Sequence, residues 1–270
     1  MKYFVSFFLI STATFASVQS PNEEIKLCES TKEYITVYRY LDAQKAFALK
    51  KEDIMKLADN ASKGCSGAAR RFIEVNDLLV KASVETSDAL KLAMKFTNKD
   101  DLVTNAFTTI FKETFLKEYL DLDLKDSIDF ALKLSVESSG DPKRIKNDFQ
   151  KIVKFCLEQS GLDLSGPKCS ELAGKVATSG VKFQTEMSSS FLDHFNYLTD
   201  KAEADLPTYK ALDLSLKLIN AGPLSVNNFK DAYKFATSKT GLDLGKVEAI
   251  NYAELMAQRS MSETKIETKK

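Results

Sequence analysis

The chain contains one histidine, His194, within Phe191-Leu192-Asp193-His194-Phe195. A His beside an acid can serve as the base that activates a Ser or Cys nucleophile. Adjacent residues of a helix project from different faces, however, so Asp193 is badly placed to orient this imidazole. With apolar residues on both sides, His194 reads as a helix-packing residue. Ser-x-x-Lys begins at Ser165, Ser179 and Ser262, a pattern that can mark a Ser–Lys hydrolase. In a chain this rich in Ser and Lys, chance alone supplies such matches, and no role is assigned to them. Asp121, Asp123, Asp126 and Asp129 raise calcium chemistry, yet the run lacks the central Gly and closing Glu of a helix–loop–helix calcium site. The sequence therefore predicts no catalytic residue, no metal ligand set and no cofactor. It leans away from an enzyme.

The remaining reactive side chains are Cys28, Cys65, Cys156 and Cys169. Their spacing fits no zinc ligand pattern. An even count in an exported chain points to two structural disulfides. Cys156 stands seven residues before Asp163 and Cys169 six after it, so the two should face each other across the bend of one helical hairpin. Elimination leaves Cys28 with Cys65. The alternative is buried free thiols acting as small hydrophobes.

Export is read from the N-terminus. Met1-Lys2-Tyr3 is followed by an apolar run from Phe4 to Ile10 and a small-residue stretch, the pattern of a secretory signal peptide spanning 1–16. No later stretch is apolar for long enough to span a bilayer, so no stable membrane insertion is expected. The expected location is secreted or periplasmic. Across 270 residues, 38 basic and 38 acidic side chains cancel. A neutral chain in which Lys far outnumbers Arg argues against a nucleic-acid partner.

The elements that must carry any site are helices. Apolar residues recur at three- and four-residue spacing, as in Ile145, Phe149, Ile152 and Val153, and no strand pattern competes. Asp141-Pro142 and Ser225 read as helix starts, Gly161 and Gly241 as stops. Asp-Leu recurs at Asp123, Asp163, Asp205 and Asp243, with an aromatic eight residues upstream each time: Phe115, Phe155, Tyr197 and Phe235. Phe149, Phe191 and Phe229 stand fourteen before the last three. The tetrads at Phe130, Leu172 and Leu214 look like copies of one another, with fainter copies at Phe47 and Leu92. Each Asp reads as a helix N-cap between a longer helix before it and a shorter one after it. The expected fold is all-α, with tandem two-helix repeats of about 40 residues forming an α-solenoid-like array over 17–259. A compact multi-helix bundle is the alternative. Residues 260–270 read as a disordered polar tail.

A repeat without a catalytic constellation favours a non-enzymatic protein that binds another protein or polymer, or a structural role. A helical carrier of an apolar ligand such as a lipid comes second, and a carboxylate-dependent enzyme third. Tyr34, Tyr38 and Tyr40 stand out in the first helix, as a contact surface or as a cap on the first unit.

Overall fold

The computed structural model describes residues 30–158, 162 and 164–267, with side chains as far as Gln258. The expected signal peptide, Cys28 and Asp163 lie outside the described residues, and so does Gly161. Among the described residues the chain is all-α and has no strand. The helices are α1 Ser30–Ala43, α2 Lys51–Ser62, α3 Ala68–Lys81, α4 Thr86–Met94, α5 Asp101–Phe115 and α6 Leu124–Ser135. They continue as α7 Pro142–Glu158, α8 Gly166–Phe183, α9 Ser188–Thr199, α10 Thr208–Ala221, α11 Pro223–Thr237 and α12 Lys246–Glu267.

Local chemistry sets several of these boundaries. Pro142 opens α7, where its missing N–H has no partner to lose, and the Asp141 carboxylate accepts the Lys143 N–H at 3.0 Å. Asp100 caps α5 through Val103 N–H, and Asp123 caps α6 through Asp126 N–H, both at 2.8 Å. The start expected at Ser225 lies at Pro223 instead, because Pro is favoured in a first turn. The second helix is the shorter one in the first three pairs, with 12 residues against 14, 9 against 14 and 12 against 15. In the last three pairs it is the longer one, 18 against 17, 14 against 12 and 22 against 15. The backbone of 260–267 is helical, as the last part of α12. Glu, Met and Lys are good helix formers, and extending an existing helix needs no new nucleus.

Consecutive helices pack as pairs, α1 with α2, α3 with α4, α5 with α6, α7 with α8, α9 with α10, and α11 with α12, and α5 packs on α7 as extensively as α3 on α4. Each first helix also touches the first helix of the next pair, from α1 to α3 through to α9 with α11. Second helices touch in the same way, α6 with α8, α8 with α10 and α10 with α12.

The link inside three of these pairs has one geometry, and it corrects the register of the sequence repeat. The first helix ends on a residue with extended backbone, Leu116, Asp200 or Ser238. Four turn residues follow, and then an Asp with positive φ: Asp121 (49°), Asp205 (54°) or Asp243 (50°). The next residue donates its N–H eight residues back into the helix, Leu122 to Thr114 O at 2.8 Å, Leu206 to Leu198 O at 2.7 Å and Leu244 to Ala236 O at 2.8 Å. Asp205 and Asp243 are thus not N-caps, since α10 and α12 begin beyond them at Thr208 and Lys246. The turn requires a left-handed residue, a conformation that Asp tolerates better than most. Asp123 is a true cap, but its pair aligns on Asp121.

With Asp121 as origin, Phe130 stands nine residues after the turn, as Leu214 does after Asp205. Phe107, Phe191 and Phe229 stand fourteen residues before the left-handed position, Phe149 stands fourteen before Asp163 in sequence, and all four are 0% exposed. Phe115 slips out of the aromatic column by two. Two upstream pairs fall into the same frame on the positive-φ residues Ser83 (66°) and Ala48 (49°). The Leu92 tetrad then aligns with those at Phe130, Leu172 and Leu214. The Phe47 tetrad does not: Phe47 closes a short 3₁₀ turn, Lys45–Phe47, in the link before α2.

Candidate binding face

His194, on α9, is completely buried. Its Nδ1 lies 3.2 Å from Ser215 Oγ, its ring meets Phe229 edge-on at 4.9 Å, and its Nε2 has no partner. Burial, with the Lys230 ammonium as a smaller contributor, pushes its pKa down to about 3, so the imidazole is neutral. In the frame above it occupies the place of Ile110 and Ile152, and the Ser215 contact has no solvent face for a substrate. Asp193 points elsewhere and accepts a 2.6 Å ion pair from Lys230. The Ser-x-x-Lys matches also fail to assemble. Ser179 donates to Lys175 O and pairs with Asn220, while Lys182 reaches Asn220 O. Ser165 is the N-cap of α8 without a side-chain bond, and the Ser262 side chain is outside the described residues. Of the Asp cluster, Asp121 is the left-handed turn residue, Asp123 the cap, and Asp126 and Asp129 face a groove. Among the described residues, no group of three or more His, Cys, Asp or Glu is placed to hold a metal ion.

Cys156 and Cys169 form a disulfide joining α7 to α8, with Cα atoms 6.1 Å apart. This is the link expected across one bend. The pairing of Cys65 with Cys28 lies outside the described residues.

The residues that do converge lie between second helices. Four open grooves follow one another, between α4 and α6 (about 670 Å³), α6 and α8 (about 360 Å³), α8 and α10 (about 240 Å³), and α10 and α12 (about 380 Å³). Each takes the same positions from its helices. An apolar residue nine places after the turn lines it, in order Leu92, Phe130, Leu172 and Leu214. Three places later a lysine stands on the same wall: Lys95, Lys133, Lys175 and Lys217. These are the first and last residues of the copied tetrads. An acid precedes the apolar residue in three of them, as Asp129, Glu171 and Asp213. Lys175 pairs with Glu171 at 2.6 Å, and Lys217 pairs with Glu254 of α12. Lysine and acid thus alternate around an apolar line, with Tyr209 and Val247 each 68% exposed. Compared with known proteins, the chain matches no family model, no curated protein and no solved structure.

The tetrads are visible in the sequence, but their place on a groove wall is not. The signal was present, since a core position needs no lysine three residues after every apolar residue.

Polar side-chain bonds reach from one pair to the next. Glu33 in α1 accepts the N–H of Gly67 (2.9 Å) and Ala69 (2.7 Å) at the start of α3. Gln150 in α7 donates to Glu113 in α5 at 2.6 Å, and burial raises the Glu113 pKa. Among the described residues, no helix has a membrane-spanning length of apolar sequence.

Proposed function

We propose that this chain is an exported, non-enzymatic binding protein whose six helix pairs stack as an α-solenoid-like array and take a protein or other polymer along the second-helix face. The observation that carries this reading is the recurrence of one groove, in one register, at four successive junctions. A repeated site suits a ligand with repeated contacts, because each added groove raises avidity without new chemistry. Mixed charge along the row suits a polypeptide better than a polyanion, in line with the neutral total. The signal sequence and the Cys156–Cys169 link support export. Against a lipid carrier, Phe rings that would enclose a ligand instead fill the core against one another, as Phe96 does with Phe107 at 4.7 Å.

Tyr209 borders two adjacent grooves, so a photo-crosslinker there should capture the ligand in the native host. The same group at Leu224, 69% exposed but on a first helix, should not. Capture from both positions alike would sink the assignment to this face. Small-angle scattering separates the array from the compact bundle: a compact chain of this size has a radius of gyration of about 18 Å, and the array must exceed it clearly.

A further inference from the structure

At three internal junctions an aromatic eight residues before the turn position of the repeat frame meets the next pair edge-on, while Val75 and Glu113 hold that place at the other two. Tyr40 of α1 meets Phe72 of α3 at 6.3 Å and 89°. Phe155 of α7 meets Phe191 at 6.2 Å and Phe195 at 5.0 Å, both on α9. Tyr197 of α9 meets Tyr233 of α11 at 6.0 Å and 90°. The corresponding residue of the last pair is Phe235, and it is 50% exposed. Leu242 repeats the pattern, at 42% exposed where its equivalents Leu120 and Ala204 are buried.

The receiving half of this junction is also present once too often. Phe191 and Phe195, fourteen and ten residues before Asp205, stack at 6.4 Å, and Phe229 and Tyr233 hold the same places before Asp243 at 6.2 Å. All four are at most 3% exposed. Tyr34 and Tyr38 occupy those two places before Ala48, and they stack in the same way at 6.2 Å. Unlike those four residues they are only partly buried. On the second-helix side the ends match again. Leu255, 47% exposed, stands where inner pairs carry the groove lysine, and Met55, also 47% exposed, stands where Ile128, Leu212 and Ile250 enter a groove.

We infer that copies of this chain associate head to tail, with Phe235 of one molecule seated on the Tyr34–Tyr38 stack of the next. The occupant is a second copy because the chain itself shows, at three internal junctions, what covers an aromatic at this position: another pair of the same kind. Terminal units of stacked repeats ordinarily carry a polar outer face, whereas among the described residues the last pair exposes Phe235, Leu242 and Leu255 and the first leaves Tyr34 and Tyr38 only partly buried. Such a junction joins two different surfaces, so it propagates into an open fibre unless its rotation closes a ring. The inference rests on the stacked-array reading.

Sedimentation velocity on the exported chain over a concentration series should show mass rising with concentration. Phe235→Asp and Tyr38→Asp should each weaken association about thirtyfold or more, as expected for loss of a buried aromatic anchor. Mixing these two variants should restore one junction and stop at the dimer. Leu255→Lys, which installs the residue inner pairs carry, should also weaken association while keeping the fold. A wild type that stays monomeric overturns the inference, as does a Tyr38→Asp variant that still assembles. If monomeric Phe235→Asp scatters as an elongated particle, the array reading survives such a failure; compact scattering overturns both.

Discussion

The carboxylate of Asp148, in α7, accepts the backbone N–H of Ser188 at 2.9 Å, forty residues further along the chain. Met187 N–H points at the same carboxylate at 3.2 Å. The start of α9 is thus capped by a side chain of the preceding pair, as Glu33 caps α3. A cap borrowed from a neighbour couples two pairs, and its removal leaves buried N–H groups unsatisfied.

Asp148→Ala should therefore cost about 2–4 kcal/mol in urea denaturation. Burial raises the Asp148 pKa, with the bonds from Ser188 and Met187 opposing it. Asp148→Asn keeps an acceptor without a buried charge and should cost clearly less. Equal losses for the two variants would contradict the capping role.

Asp243 is a left-handed turn residue, so its backbone angle rather than its carboxylate should govern substitutions. Asp243→Gly should stay within about 1 kcal/mol of wild type. Asp243→Val should lose about 1–2 kcal/mol, because a branched Cβ is strained at positive φ. At the true cap, Asp123→Ala should lose about 1 kcal/mol. Thermal melts of the three variants provide the check.

His194 contributes a pH dependence whose sign follows from burial. Its pKa falls from 6.5 to about 3 on folding. Between those values the unfolded chain holds the extra proton, so this contribution to stability is present above pH 6.5 and is lost as pH falls. The slope should be about 1.4 kcal/mol per pH unit. His194→Ile, matching Ile110 and Ile152, should flatten it. Denaturation across that pH range would expose the opposite outcome, a variant with the wild-type slope.

Non-reducing peptide mapping should recover Cys156 linked to Cys169, which are 13 residues apart in sequence. Replacing both by Ser should cost about 3 kcal/mol through the freer unfolded chain. Two reactive thiols in the freshly exported protein would remove the link.

The all-helical class was legible in the sequence because helix-forming signals are local. Apolar spacing of three and four, Pro142 behind Asp141 and the cap at Asp123 act within a few residues. The Cys156–Cys169 link was legible for the same reason, since one bend separates them. The role of the recurring Asp was not legible, because an Asp-Leu before a helix looks alike whether the Asp caps or turns the chain. Only the folded link, with Leu206 N–H bonded back to Leu198 O, separated Asp205 from the cap Asp123 and moved the register to Asp121. Tertiary structure also decided where the tetrads lie. Lys133 and Phe130 share a groove wall because α8 lies against α6, and a contact between helices some forty residues apart leaves no mark on local periodicity. The exposure of Phe235 belongs to the same level: its residue type matches Phe155, yet Phe155 packs on Phe195 while Phe235 is half exposed.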